Sequence, residues 1–308
     1  MEHTPVLLHE SIDGLNIKPG GIYVDGTLGR AGHAGEIVKK LGRGRLIAID
    51  RDSDAIDEAR SALAEHKDRI TYVHGNFRDL AEILGKLDIK AVDGMLFDLG
   101  VSSPQLDDTA RGFSYMHDAQ LDMRMDKGQA LTAYGIVNCR QEDELRKIFF
   151  EYGEERYSRP IAREIVKRRA TAPIETTFGL NDIIISAIPA GARREPQHPS
   201  KRCFQALRIA VNDELGSIKE MLEVAPRLLR PEGRICVISF HSLEDRMVKK
   251  SFAALARDCS CPKDIPVCVC EGVAIYKLIT RKPVIAGADE VKSNTRARSA
   301  KLRIAERL

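Results

Sequence analysis

Short apolar runs rich in β-branched residues recur along the early part of the chain, and amphipathic stretches fill the intervals between them. The runs at 22–25, 45–50, 70–74 and 91–98 read as strands, and they close on Asp25, Asp50, His74 and Asp98. Residues 34–41, 54–65 and 80–87 read as helices, the second with Ala55, Ile56, Ala59, Ala62 and Leu63 at helical spacing. This alternation predicts a parallel sheet covered on both faces, with ligands received at the carboxyl ends of the strands.

The rhythm stops after Asp98, and the next clear buried strand is 234–240. Most of the intervening stretch has a helical pattern, over 142–152, 159–169, 180–187 and a long run at 205–229 in which Pro226 predicts a kink. Pro173, Pro189-Ala190-Gly191 and Pro196-Gln197-His198-Pro199 divide it. The expected organisation is a sheet domain from 1–110 and 213–308, with a helical domain at 111–212 inserted between the fourth and fifth strands. Residues 273–284 and 299–307 then read as two strands joined by a loop containing Gly287, a closing hairpin of the kind found in methyltransferases.

The first strand runs into Asp25-Gly26-Thr27-Leu28-Gly29-Arg30-Ala31-Gly32-His33, a glycine-punctuated turn that opens a helix. Its glycines do not spell G-x-G-x-x-G, and the acid at the strand end opposes a pyrophosphate. S-adenosylmethionine, with a sulfonium and an amino group, suits such a site better than a nicotinamide dinucleotide. The expected fold is therefore a Rossmann-like, class I S-adenosylmethionine-dependent methyltransferase sheet. A tight turn with purely structural glycines explains the same residues without a ligand.

Asp50, about 20 residues beyond the turn, stands where an acid accepts from ribose hydroxyls. Asp52 is the alternative, and N-capping of the next helix is the structural role open to either. Phe77, after the third strand, offers a flat face for adenine. Asp98, Ser102 and Ser103 lie where an amine acceptor would meet the methyl group, and Pro104 stiffens that turn. Phe113 or Tyr115 offers a stacking face, since Gln105 stands where amine methylases place an aromatic. His241-Ser242-Leu243-Glu244-Asp245 is either an orienting cluster or a capping box built on Ser242 and Asp245.

The 308 residues are 43% hydrophobic and 30% charged, with a net charge of +3, which is too small to demonstrate a polyanionic partner. The distribution says more: from Lys277 onward nine cations face three acids, and Lys292 to Arg303 alternates cations with small polar residues, as a phosphate contact or a charged edge strand does. No apolar run reaches the ~18 residues a membrane span needs, and Met1-Glu2-His3-Thr4-Pro5 is unlike a signal peptide, so a cytoplasmic location is expected. Of seven cysteines, Cys259, Cys261, Cys268 and Cys270 form two C-x-C pairs that suit either a zinc ion or a proline-stiffened loop with free thiols.

Several stretches together resemble the RsmH (MraW) family: His3 to Leu8, Asp25 to His33, Asp98 to Gln105, Leu121 to Met125, Tyr152 to Arg156, Phe240 to Arg246 and Arg296 to Arg303. The resemblance implies methyl transfer from S-adenosylmethionine to a cytosine N4 in 16S rRNA, in the decoding region of the small ribosomal subunit. It implies donor contacts at Ala31, Gly32, His33, Asp50, Phe77, Asp98 and Gln105, no catalytic metal, and an rRNA-recognising role for the insert. Arg163, Lys167, Arg168, Arg169, Arg193, Arg194, Lys201 and Arg202 are the insert's cations, interrupted by acids. Ala31 replaces a glycine common in the family, a mild change if φ there is negative.

Overall fold

A computed structural model of the chain describes residues 5–191, 193, 197–258 and 272–308. The expectations for Cys259, Cys261, Cys268 and Cys270, for His3 and Thr4, and for Arg194 and Pro196 lie outside the described residues. Two compact units emerge: Met1–Gly100 with Leu215–Leu308, and Val101–Glu214. The first break thus falls ten residues ahead of the expected 110/111, so that Ser102, Ser103 and Gln105 belong to the second unit.

The first unit is built on a seven-stranded sheet of order β3-β2-β1-β4-β5-β7-β6. Its strands are β1 (Ile22–Asp25), β2 (Arg45–Asp50), β3 (Ile70–His74), β4 (Val92–Asp98), β5 (Leu229–Ser239), β6 (Tyr276–Leu278) and β7 (Lys301–Arg307). β1 to β5 pair in parallel, whereas β7 runs antiparallel to both β5 and β6. Along β2 the side chains alternate between two cores. Leu46 and Ala48 join Ile37, Ile56 and Leu302 on one face, and Ile47 and Ile49 join Leu80, Phe97 and Ile218 on the other.

The register brings the polar strand ends together. Asp25 is opposite Ala48 on one side and Leu96 on the other, Asp50 is opposite His74, and Asp98 is opposite Ile238. Reversal of the strand order on either side of β1 opens a crevice at this edge, where open α/β sheets receive ligands.

Two expectations for the first unit need correction. The strand expected over 273–284 is reduced to Tyr276–Leu278, and the joining segment folds as helix Ala288–Ser293 followed by a 3-10 turn at Thr295–Ser299. Asp289 and Glu290 in the first turn of that helix favour it electrostatically.

The second unit packs helices Ala133–Cys139, Glu142–Gly153, Ser158–Arg169, Thr177–Ala187 and Ser200–Asn212 around Leu145, Phe149, Ile161, Leu180, Phe204 and Leu207. The long helix expected over 205–229 is instead two helices, Ser200–Asn212 and Glu214–Leu228. Asp213 separates them at φ 45, and the Asn212 side chain turns inward, accepting from the Met125 N–H at 2.8 Å and donating to the Met123 carbonyl at 2.8 Å. Among the described residues no helix is long and apolar enough to cross a membrane.

Candidate active site

The turn after β1 is tied to its neighbours by backbone bonds. The Gly26 N–H donates to the Leu96 carbonyl and the Leu28 N–H to the Ile49 carbonyl, at 2.9 and 3.0 Å. The Asp98 N–H donates to the Thr27 hydroxyl at 2.6 Å. Gly26 has no room for a side chain, because a Cβ there would overlap the Phe97 ring. Replacing it with alanine is expected to cost about 1–3 kcal/mol of stability, read by urea unfolding, since two packed strands must move apart.

Three carboxylates gather along this edge with few partners. Asp25, 1% exposed, accepts from the Thr27 N–H at 3.1 Å through Oδ1, while Oδ2 is buried with no hydrogen-bond partner among the described residues. Oδ1 of Asp98 is likewise buried and without a partner. Asp50 is better satisfied, taking the Gly29 N–H at 2.8 Å and the Asp52 N–H at 2.9 Å. Asp52 accepts from the Asp54 N–H as the cap of helix Ser53–Ala62, which leaves Asp50 as the acid at the strand end.

Burial pushes the Asp25 carboxyl up to about 7; the Thr27 N–H opposes that rise and the Asp50 charge adds to it. Asp98 is pushed up to about 8, by burial first and then by the charges of Asp25 and Glu244. Burial also raises Asp50, against the pull of the Asp52 and Gly29 N–H groups. Like charges crowded out of water are an unfavourable arrangement, and a bound cation relieves it.

His33 lies in the same place, 5% exposed, with Nε2 at 3.1 Å from the Val6 carbonyl and Nδ1 at 3.9 Å from Asp98 Oδ2. Ala31 and Gly32 open helix Gly32–Lys40. Ala31 sits at φ 62, so its methyl group is not accommodated by a negative φ as expected, but is held in the left-handed region at a cost of about 1–2 kcal/mol. Phe77 follows β3 and meets Phe97 edge to face, ring centroids 5.6 Å apart, so part of its surface is committed to the core.

Gln105 closes a capping box in the second unit, its Oε1 accepting the Ser102 N–H at 3.1 Å at the start of helix Ser103–Asp107. The cluster after β5 is capped differently from the expectation. His241, not Ser242, is the cap residue, Glu244 takes the Phe240 and His241 N–H groups at 2.8 and 3.2 Å, and Asp245 pairs with Lys301 and Arg303. Arg303 is thus 7% exposed and internal, so the basic C-terminal stretch is a weaker phosphate surface than its composition suggests. In the insert, Arg169 donates to the Val137 and Arg140 carbonyls and Arg168 pairs with Glu164.

Thr27 and Glu244 are the site groups that sequence reasoning passed over in these roles. Thr27 stood inside the singled-out turn, yet only the strand pairing shows that its hydroxyl serves Asp98. The influence of Glu244 on Asp98 follows from β4 and β5 being adjacent, which no local pattern reveals.

A switch-point crevice whose floor is a set of under-partnered acids suits a ligand that is both adenosine-like and cationic. The sheet order, with β7 inserted antiparallel beside β5, together with this acidic edge, defines a class I S-adenosylmethionine-dependent methyltransferase. More narrowly, the chain belongs to the MraW methylase family, whose model matches residues 1–308. It is 57% identical over 314 residues to the ribosomal RNA small subunit methyltransferase H of Paenibacillus sp., covering 100% of this chain and 99% of that one. The protein of the same name from Halothermothrix orenii is 56% identical over 309 residues, covering 100% and 99%. A solved structure of a putative rRNA-methylase from Clostridium thermocellum matches 99% of this chain and 100% of its own at TM-score 0.47 and 12% identity, a likeness too slight to bear on function.

Proposed function

We propose that this protein transfers a methyl group from S-adenosylmethionine to N4 of a cytosine in the 16S rRNA of the small ribosomal subunit, in its decoding region, and that it works in the cytoplasm. The observation that carries this reading is the pair of buried carboxylate oxygens, Asp25 Oδ2 and Asp98 Oδ1, which have no hydrogen-bond partner among the described residues of this member of a methylase family. The relatives' shared name supplies the RNA.

When bound, the donor supplies an electrophilic methyl group on a sulfonium. Asp25 would balance its cationic end, Asp50 would accept from its ribose hydroxyls, Phe77 would face its adenine, and Ala31, Gly32 and His33 would border it. Asp98 accepts a hydrogen bond from the exocyclic amine, which holds the nitrogen lone pair toward the methyl group. Roles for Ser102 and Ser103 at the acceptor and for Gln105 at the donor rest on the family resemblance alone, as does recognition of rRNA by the inserted unit.

The test is an acceptor comparison with labelled donor and purified protein, using small subunits from cells lacking the modification, naked 16S rRNA and duplex DNA. Label is expected on the subunit or its rRNA. Incorporation into DNA alone, or into nothing, overturns the reading.

A further inference from the structure

His33 is buried between two oxygens of different character. A carbonyl only accepts, so the 3.1 Å contact with Val6 fixes the proton on Nε2. In the neutral ring, Nδ1 then carries a lone pair, and it is this atom that lies 3.9 Å from Asp98 Oδ2. That separation exceeds a hydrogen bond, and such contacts commonly tighten once a substrate is bound.

The Val6 carbonyl is itself held in place. The next residue, Leu7, sits at φ 50 and its N–H donates to Glu290 Oε1 at 2.8 Å. Pro5 packs so closely on Gly32 that a Cβ there would overlap its ring. The N-terminal turn is thereby clamped onto the start of helix Gly32–Lys40 from two sides, and the orientation of the imidazole follows from it.

We infer that His33 acts through Asp98 as a positioning residue and second proton acceptor, with its tautomer set by the Val6 carbonyl. The inference rests on the proposed amine methylation. In that reaction the N4 lone pair forms the new N–C bond, the C–S pair stays on sulfur, and N4 loses one proton. Asp98, ionised when the cationic donor is bound, takes this proton on Oδ2 and passes the same proton to His33 Nδ1, which returns Asp98 to a carboxylate. An imidazolium then stands beside a carboxylate, with Nε2–H still bonded to Val6, and it loses its proton to water as products leave.

Asp25 from β1 and Glu244 after β5 are the charges that act on Asp98; Asp50 from β2 acts in turn on Asp25, His241 lies 3.2 Å from Glu244, and Glu290 holds the Leu7 N–H. On the flanks, Arg30 pairs with Glu58 and Glu36 with Lys39. The charged neighbours of Asp98 are thus acids, and they favour the proton-bearing imidazolium at the end of the relay.

His33→Gln keeps a donor toward Val6 and replaces the basic Nδ1 by an amide oxygen, which cannot take a proton from Asp98. Its kcat is expected to fall about tenfold to hundredfold, with the acid limb of the kcat profile altered. Unchanged kcat and an unchanged pH profile overturn the relay. Nitrogen-15 NMR of histidine-labelled wild-type protein tests it without any variant: Nε2–H with bare Nδ1 is expected, and the opposite tautomer overturns it. If wild-type protein methylates no ribosomal substrate, the functional reading fails instead, and the tautomer measurement still decides the relay's geometry.

Discussion

Asp98→Asn is expected to lower the rate of methyl transfer by about 10²–10⁴-fold while the protein stays folded. The amide still presents an oxygen but also turns an N–H toward the crevice, and it can no longer take a proton. Folding should not suffer, because the substitution removes a carboxylate whose pKa is already driven up to about 8 by burial and by Asp25 and Glu244. Single-turnover assays on ribosomal subunits, paired with thermal melts, separate the two effects. A variant that melts like wild type and transfers methyl at a wild-type rate would remove Asp98 from the mechanism.

Raising the pH is expected to weaken the donor-free protein through the same acids. Asp25 and Asp98 have folded-state values of about 7 and about 8, above the ordinary 3.8, so folding favours their neutral forms. That contribution is fully present below about pH 4 and is lost as the pH rises through 7 and 8.

The Asp25→Asn, Asp98→Asn double variant should lose less melting temperature than wild type between about pH 5.5 and 8.5. A bound cation lowers both values, so titration with S-adenosylmethionine near neutral pH should release about one proton per site, measured by calorimetry in buffers of different ionisation enthalpy. S-adenosylhomocysteine, which lacks the sulfonium charge, should release fewer. Equal release for both ligands, or none, contradicts the placement of the cation beside these acids.

Much of the donor edge was legible because it is local. β1 to β3 coincide with their hydrophobic runs, so that Asp25 and Asp50 fall at strand ends as expected, and Asp98 closes β4 in the same way. What stayed hidden depends on side chains acting across the sheet or on single backbone angles. Asp213 at φ 45 breaks a helix whose apolar spacing continues through it, and Ala31 at φ 62 is a conformation that composition does not signal. The burial of Arg303 in the cation-rich tail was hidden for a related reason. Asp245, far away in sequence, turns Arg303 inward, and charge counts carry no information about such pairing.

Nucleoside mass spectrometry of 16S rRNA, after incubation of purified protein and S-adenosylmethionine with small subunits from cells lacking the modification, identifies the methylated atom. N4-methylcytidine is expected, dependent on Asp98. A methyl group on a different atom, or none at all with competent subunits, contradicts it.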